Sequence, residues 1–303
     1  MELKGKKILV TGGAGFIGSR LVEKLLENND VAILDRTAGK TFNAKARVID
    51  GDLLDRDFVA RNAKGFDFVF HLAANPNPQE NSYAQNVQMT KNLLDAMALN
   101  NIKALGFASS VLVYGNAETP TKEEAPLRPK SLYGASKAEC EALISSYCAL
   151  KGFRAWIFRF ANVAGAGLTH GPVFDFARKL QTNPKELEVL GDGSQSRCYV
   201  YIDDCLEGVF KALALDNAVN IVNIGAEDTI TIKAMAEMAT KAMARKTGET
   251  AKIVYTGKSW SGDVQKTQPD ITKIKSLGFK PKYTSEQAVK KAFDAFLGQN
   301  VKS

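Results

Sequence analysis

Hydrophobic positions alternate between two patterns through the first half of this chain. Short, nearly continuous apolar runs occur at KKILV (6–10), VAILD (31–35), RVIDGDL (47–53), FDFVFHLAA (66–74), IKALGFASS (102–110) and FRAWIFRF (153–160). Runs of this length without polar alternation predict strands buried on both faces, as in a parallel sheet. Between them lie segments with helical spacing, at 16–28, 55–63, 80–100 and 131–151. In the third of these, Val87, Leu93, Leu94, Met97 and Ala98 fall on one side. The helix at 131–151 has apolar residues on more than one side, including Leu143, Ile144 and Tyr147. Strand–helix alternation predicts right-handed crossovers and an α/β, doubly wound parallel sheet. After about residue 165 the segments shorten and mix with turns, which predicts a smaller, less regular C-terminal lobe. The predicted division is 1–165 and mainly 166–303, with some later segments free to return to the first part.

The turn after the first strand reads TGGAGFIG, with glycines at 12, 15 and 18. Gly12 allows the tight turn, Gly15 allows close backbone approach by a pyrophosphate, and Gly18 allows the helix to pack on the strand. Free N–H groups and the helix dipole favour an anion there. Asp35 ends the second strand, near where an acidic side chain holds an adenosine ribose. The combination predicts a Rossmann-like dinucleotide site. Asp35 repels a 2′-phosphate and so favours NAD over NADP, whereas Arg36 beside it offers a weak phosphate contact.

Composition narrows the class. The chain has 303 residues, 45% hydrophobic and 24% charged, as in a globular protein. No apolar stretch approaches the ~20 residues that span a bilayer, and the N-terminus runs directly into the first strand, so a cytoplasmic protein is expected. The net charge of +7 is spread along the chain. It reads as a solvated surface, or as a mild attraction for phosphorylated ligands, rather than a nucleic-acid site. Cys140, Cys148, Cys198 and Cys205 form no Cys-x-x-Cys pair, and only His71 and His170 could join them. Reduced thiols and no metal are expected.

The fifth strand ends at Ser109-Ser110, and strand C-termini are where doubly wound folds place ligands. Tyr133-Gly-Ala-Ser-Lys137 follows, with Tyr and Lys on one helix face. A neighbouring ammonium favours the phenolate, which predicts a lowered phenol pKa and proton exchange with a substrate alcohol. Ser110 would hydrogen-bond the same oxygen.

These motifs, in order with HLAA (71–74), ASSVLVYG, YGASK, RFANVAG, GDGSQSRCYVYIDD, VNIGA and the final GDV…DITKIKSLGFKPKY, make the chain resemble the extended short-chain dehydrogenase/reductases of the nucleotide-sugar epimerase/dehydratase type. The likeness runs over nearly the whole length. It implies that Phe16 and Ile17 join Gly12, Gly15 and Gly18 along the pyrophosphate. Asp52 and Leu53 would flank the adenine, and Ala73 would touch the cofactor by its backbone. Lys137 would also bind the nicotinamide ribose, and Asn162 and Arg197 would hold a substrate diphosphate. Plainer readings remain for three of these: Asp52 as a helix cap, Asn162 as a turn former and Arg197 as a surface charge. His71 and Asn86 read as structural, and His170 as a loop residue that borders the substrate.

Relatives that dehydrate or decarboxylate carry acidic residues just after the strand-end Ser/Thr, where this chain has Val111 and Leu112. The resemblance therefore implies epimerisation with NAD at C4 of a UDP-sugar, such as UDP-glucose or UDP-galactose, in a homodimer. The alternative is an NAD(P)-dependent dehydrogenase or reductase that releases its reduced cofactor. One departure stands out: Trp260-Ser261-Gly262-Asp263 replaces a common Arg-Pro-Gly-Asp, leaving Lys258 or Arg197 to compensate for the missing charge.

Overall fold

The structure is a computed structural model that describes residues 1–36, 46–76, 80–259 and 262–297. The first part runs β1 (Lys7–Thr11), α1 (Phe16–Leu25), β2 (Asp30–Asp35), β3 (Arg47–Asp50), α2 (Arg56–Asn62), β4 (Phe68–His71), α3 (Glu80–Leu99), β5 (Ala104–Ser110), α4 (Leu132–Lys151) and β6 (Arg154–Phe160). Then come β7 (Asn162–Ala164), α5 (Pro172–Thr182), β8 (Glu186–Val189), β9 (Ser196–Arg197), β10 (Tyr199–Tyr201), α6 (Ile202–Ala212) and β11 (Val219–Ile224). The chain ends with β12 (Ile230–Thr231), α7 (Ile232–Thr247), β13 (Lys252–Tyr255), β14 (Lys266–Thr267), α8 (Thr272–Ser276) and α9 (Ser285–Leu297).

The central sheet has the order β11-β6-β5-β4-β1-β2-β3, and every pairing in it is parallel. Side chains alternate across it, so each strand feeds two cores. Ile8 and Val10 of β1, with Trp156 and Phe158 of β6, join Leu21 and Leu25 of α1 and Leu206 and Val209 of α6 on one face. Leu9, Leu105 and Ile157 face Leu93 and Met97 of α3 and Cys140 and Ile144 of α4 on the other. This is the doubly wound α/β, Rossmann-like architecture expected from the pattern. α4 is apolar on several sides because it packs on both the sheet and α3, with Leu143 and Tyr147 partly buried. A third core lies between α5, α7 and α9, away from the sheet.

β4 differs from the sequence reading: it stops at His71 rather than Ala74, because Leu72–Ala74 turn across the glycine loop, where a Cβ on Gly12 would lie 2.5 Å from the Ala73 nitrogen. The sequence reading left later segments free to return to the first part, and β11 is one that does, pairing with β6 in the main sheet after the excursion through β7–β10. Among the described residues no helix is long and apolar enough to cross a membrane.

Candidate active site

Three adjoining cavities run along the C-terminal ends of the central strands. The smallest, about 280 Å³, is lined by Gly12, Gly15, Asp35, Arg36, Asp52, Leu53 and Ala73. The middle one, about 400 Å³, is lined by Gly12, Gly15, Phe16, Ile17, Gly18, Ser110, Tyr133, Lys137 and Asn162. The largest, about 700 Å³, is lined by Ser110, Tyr133, Asn162 and Arg197. Every catalytic, cofactor-binding and substrate-binding candidate from the sequence borders this trough, whereas Lys258, the other candidate for the missing arginine charge, is not among the lining residues. Ser110 and Tyr133 sit where the middle and large cavities meet.

The glycine loop suits a dinucleotide. Gly12 has φ +71°, and its Cβ would strike the Ala73 backbone, so only glycine fits without strain. A Cβ on Gly18 would approach the Gly12 carbonyl oxygen to 2.1 Å. A Cβ on Gly15 would meet only that oxygen, at 3.2 Å, so the space beside Gly15 belongs to the cavities it lines. α1 begins here with Gly15 as its N-cap and no side-chain cap, leaving N–H groups for an anion. Asp35 accepts a hydrogen bond from the Ala14 N–H at 3.1 Å, which ties the loop to the end of β2. Arg36 and Asp52 form an exposed ion pair at 3.6 Å. Asp52 does not cap α2; Asp55 does, accepting from the Phe58 N–H at 2.9 Å. The donors and space therefore fit NAD along a trough that runs from Asp35 to Tyr133 and Lys137.

Ser110 caps a short 3₁₀ helix, Val111–Tyr114, by accepting from the Leu112 N–H at 3.2 Å. With one lone pair so engaged, its O–H remains to donate into the cavity. α4 starts at Ser131, whose hydroxyl accepts from the Gly134 N–H at 3.1 Å, and Tyr133 lies in the first turn. The Lys137 ammonium is buried, 4.8 Å from the Phe107 ring centre and 5.7 Å from the Tyr133 ring centre. Burial lowers the Lys137 pKa to about 8, against upward pulls from Cys140 and Glu141. Tyr133 departs from expectation: burial pushes its phenol up to about 12. The helical spacing brings the two side chains together, but desolvation of the phenolate sets the direction of the shift, and Cys140 adds to it. Tyr133 therefore starts as a neutral hydroxyl. His71 is buried between Thr11 (2.7 Å) and Thr90 (3.1 Å), and burial, aided by Lys137, lowers its pKa to about 3, so it stays uncharged.

On the far side, Asn162 belongs to β7 rather than a turn, and its side chain donates to the Cys198 carbonyl at 3.2 Å. Arg197 is partly buried and held in an ion pair rather than a free surface charge. It pairs with Asp263 at 2.5 Å and donates to the carbonyls of Ser196 and Gln265. These described partners engage three of its five N–H donors. Asp263 and the apolar end formed by Phe176, Leu190, Ile232 and Val264 were not anticipated, since they reach the cavity only through tertiary packing. His170 borders both larger cavities. Trp260, Ser261 and the 77–79 part of the HLAANPNPQENS segment lie outside the described residues.

One network beneath the site had a readable signal. Arg159 is a charge inside the apolar strand RAWIFRF, which requires a buried partner. That partner is Glu141 on α4, at 2.6 Å, with both side chains almost fully buried.

Comparison with known proteins gives a consistent picture. A model described as the NAD dependent epimerase/dehydratase family matches residues 8–225. A putative UDP-glucose 4-epimerase of Methanocaldococcus jannaschii is 35% identical, over 97% of this chain and 99% of its own. A UDP-N-acetyl-alpha-D-glucosaminuronate decarboxylase of Bacillus cytotoxicus is 32% identical, over 96% and 98%. The crystal structure of Thermus thermophilus UDP-glucose 4-epimerase in complex with NAD superimposes with a TM-score of 0.84 at 28% identity, covering 96% of this chain and 99% of that one.

Proposed function

Because this chain belongs to the NAD dependent epimerase/dehydratase family, we propose that it is a 4-epimerase of a nucleotide sugar, acting on a UDP-sugar such as UDP-glucose or UDP-galactose. The observation that carries this reading is the position of Ser110 and Tyr133 at the junction of the two larger cavities, followed along the wall by Val111 and Leu112. A dehydratase or decarboxylase would need an acid or base where these apolar side chains stand.

In this account residues 1–165 hold NAD through Gly12, Gly15, Phe16, Ile17, Gly18, Asp35, Arg36, Asp52, Leu53, Ala73 and Lys137. The later residues line the sugar-nucleotide cavity. Asn162 and Arg197 hold the diphosphate, leaving the sugar beside Tyr133. Tyr133 exchanges a proton with the C4 hydroxyl, Ser110 donates to the same oxygen, and Lys137 offsets charge that develops on the phenol. Bound NAD supplies reversible hydride acceptance at C4. A cavity of about 700 Å³ leaves room for a sugar to present either face.

The charge of that cavity favours a neutral sugar over a uronate. Among its described lining residues Arg197 is the one Lys or Arg, against Asp175 and Asp263, and it is already paired with Asp263. A further buried carboxylate on the sugar would lack a counter-charge.

We also propose that the protein works in the cytoplasm as a homodimer through α3 and α4, which pack side by side and leave Leu99 and Leu150 exposed at their ends. Light scattering at micromolar concentration should then give twice the chain mass of 32.9 kDa; a single-chain mass would refute the pairing. The epimerase reading also predicts that about one NAD per chain survives gel filtration and is released on denaturation. Cofactor-free protein that consumes NADH or NADPH only when given a carbonyl substrate would instead identify a dehydrogenase or reductase.

A further inference from the structure

Behind Lys137 lies a buried polar network that the epimerase reading does not use. Glu141 is one helical turn beyond Lys137 on α4. Its Oε1 accepts from the Ser109 hydroxyl at 2.5 Å and from Arg159 Nε at 3.0 Å, and its Oε2 accepts from Arg159 Nη2 at 2.6 Å. Arg159 Nη1 donates to the Tyr114 hydroxyl at 2.9 Å and the Glu123 carbonyl at 2.8 Å. Tyr114 in turn donates to Asn223 Oδ1 at 2.7 Å. One carboxylate thus joins the residue beside Ser110 at the end of β5, the helix that carries Tyr133 and Lys137, and β6. A hydrophobic pair would hold these elements together at less desolvation cost, so the retained charge calls for a use.

We propose that Glu141 is a positioning residue for the catalytic group: it fixes the end of β5 against α4 and sets a carboxylate charge one helical turn from the Lys137 ammonium. Two of the groups facing Lys137 oppose the effect of burial, Cys140 and Glu141. On α4 itself, burial raises the pKa of both Tyr133 and Cys140, which leaves Glu141 as the carboxylate. From β4, His71 is uncharged, and from β5, Phe107 offers only its ring. Arg159 on β6 lies behind Glu141 and is bound to it. Among the described residues acting on Lys137, Glu141 is the one carboxylate, and it opposes the effect of burial.

The proposal takes Lys137 as part of the epimerase site, but its test reads the lysine directly. With ¹³Cε-lysine labelling, the Lys137 resonance is the one lost in Lys137→Met, and its titration in wild type should have a midpoint near 8. In Glu141→Gln that midpoint should fall by at least about half a pH unit, a roughly threefold lower ratio of ammonium to amine at a fixed pH. The double variant Glu141→Gln/Arg159→Met removes both buried charges. It should fold even if the single variant does not, and should keep the lowered midpoint. An unchanged midpoint in either folded variant would overturn the proposal, since a purely structural Glu141 would not move it. The alkaline limb of kcat should shift with the midpoint while KM for the UDP-sugar changes little. A wild type that turns over no UDP-sugar counts against the epimerase reading alone, because the resonance titrates regardless.

Discussion

Tyr133→Phe should lower kcat by about 10²–10⁴-fold, the usual contribution of a positioned proton-transfer group, while bound NAD and thermal stability stay close to wild type. The substitution removes one hydroxyl that faces the junction of the two larger cavities and keeps the ring beside Lys137. With the phenol pushed up to about 12 by burial, it is a neutral hydroxyl before substrate binds, so the site gives and takes a proton rather than storing a phenolate. Steady-state kinetics with released-cofactor analysis would check this. Turnover near the wild-type rate would remove Tyr133 from its assigned role.

Arg159→Met should be the most damaging single change away from the cavities. It leaves the Glu141 carboxylate buried without its bidentate partner, which costs about 3–5 kcal/mol, a fall in Tm of roughly 5–10 °C for a chain of this size. Adding Glu141→Gln should recover much of that loss, because removing both charges together avoids an unpaired one. Thermal melts of the two single variants and the double variant would show this non-additivity. A double variant as unstable as the sum of the singles would mean that the pair does not act as a unit.

The first half of the fold was legible because its signals are local. Buried parallel strands must be apolar on both faces, and the Gly12 turn can hardly be built with another residue. The return of β11 to the sheet was not, because VNIVNI carries Asn220 and Asn223 among its apolar residues. Their amides are satisfied by distant carbonyls, including those of Ala155 and Thr121, and nothing nearby in the chain announces those partners. The same limit applies to the site. Spacing placed Tyr133 beside Lys137, but the sign of the phenol shift depends on depth of burial, which spacing does not encode. Arg197 was legible as a ligand candidate, whereas its partner Asp263 arrives from a separate loop. Arg159 was readable in principle, as a charge in a strand with no room for an unpaired one.

The most direct test of the central claim is incubation of the purified protein, without added cofactor, with UDP-glucose carrying deuterium at C4. The account predicts UDP-galactose that retains the deuterium, at equilibrium with the starting sugar. Bound NAD without any UDP-galactose, or a product whose label has been lost to water, would contradict it.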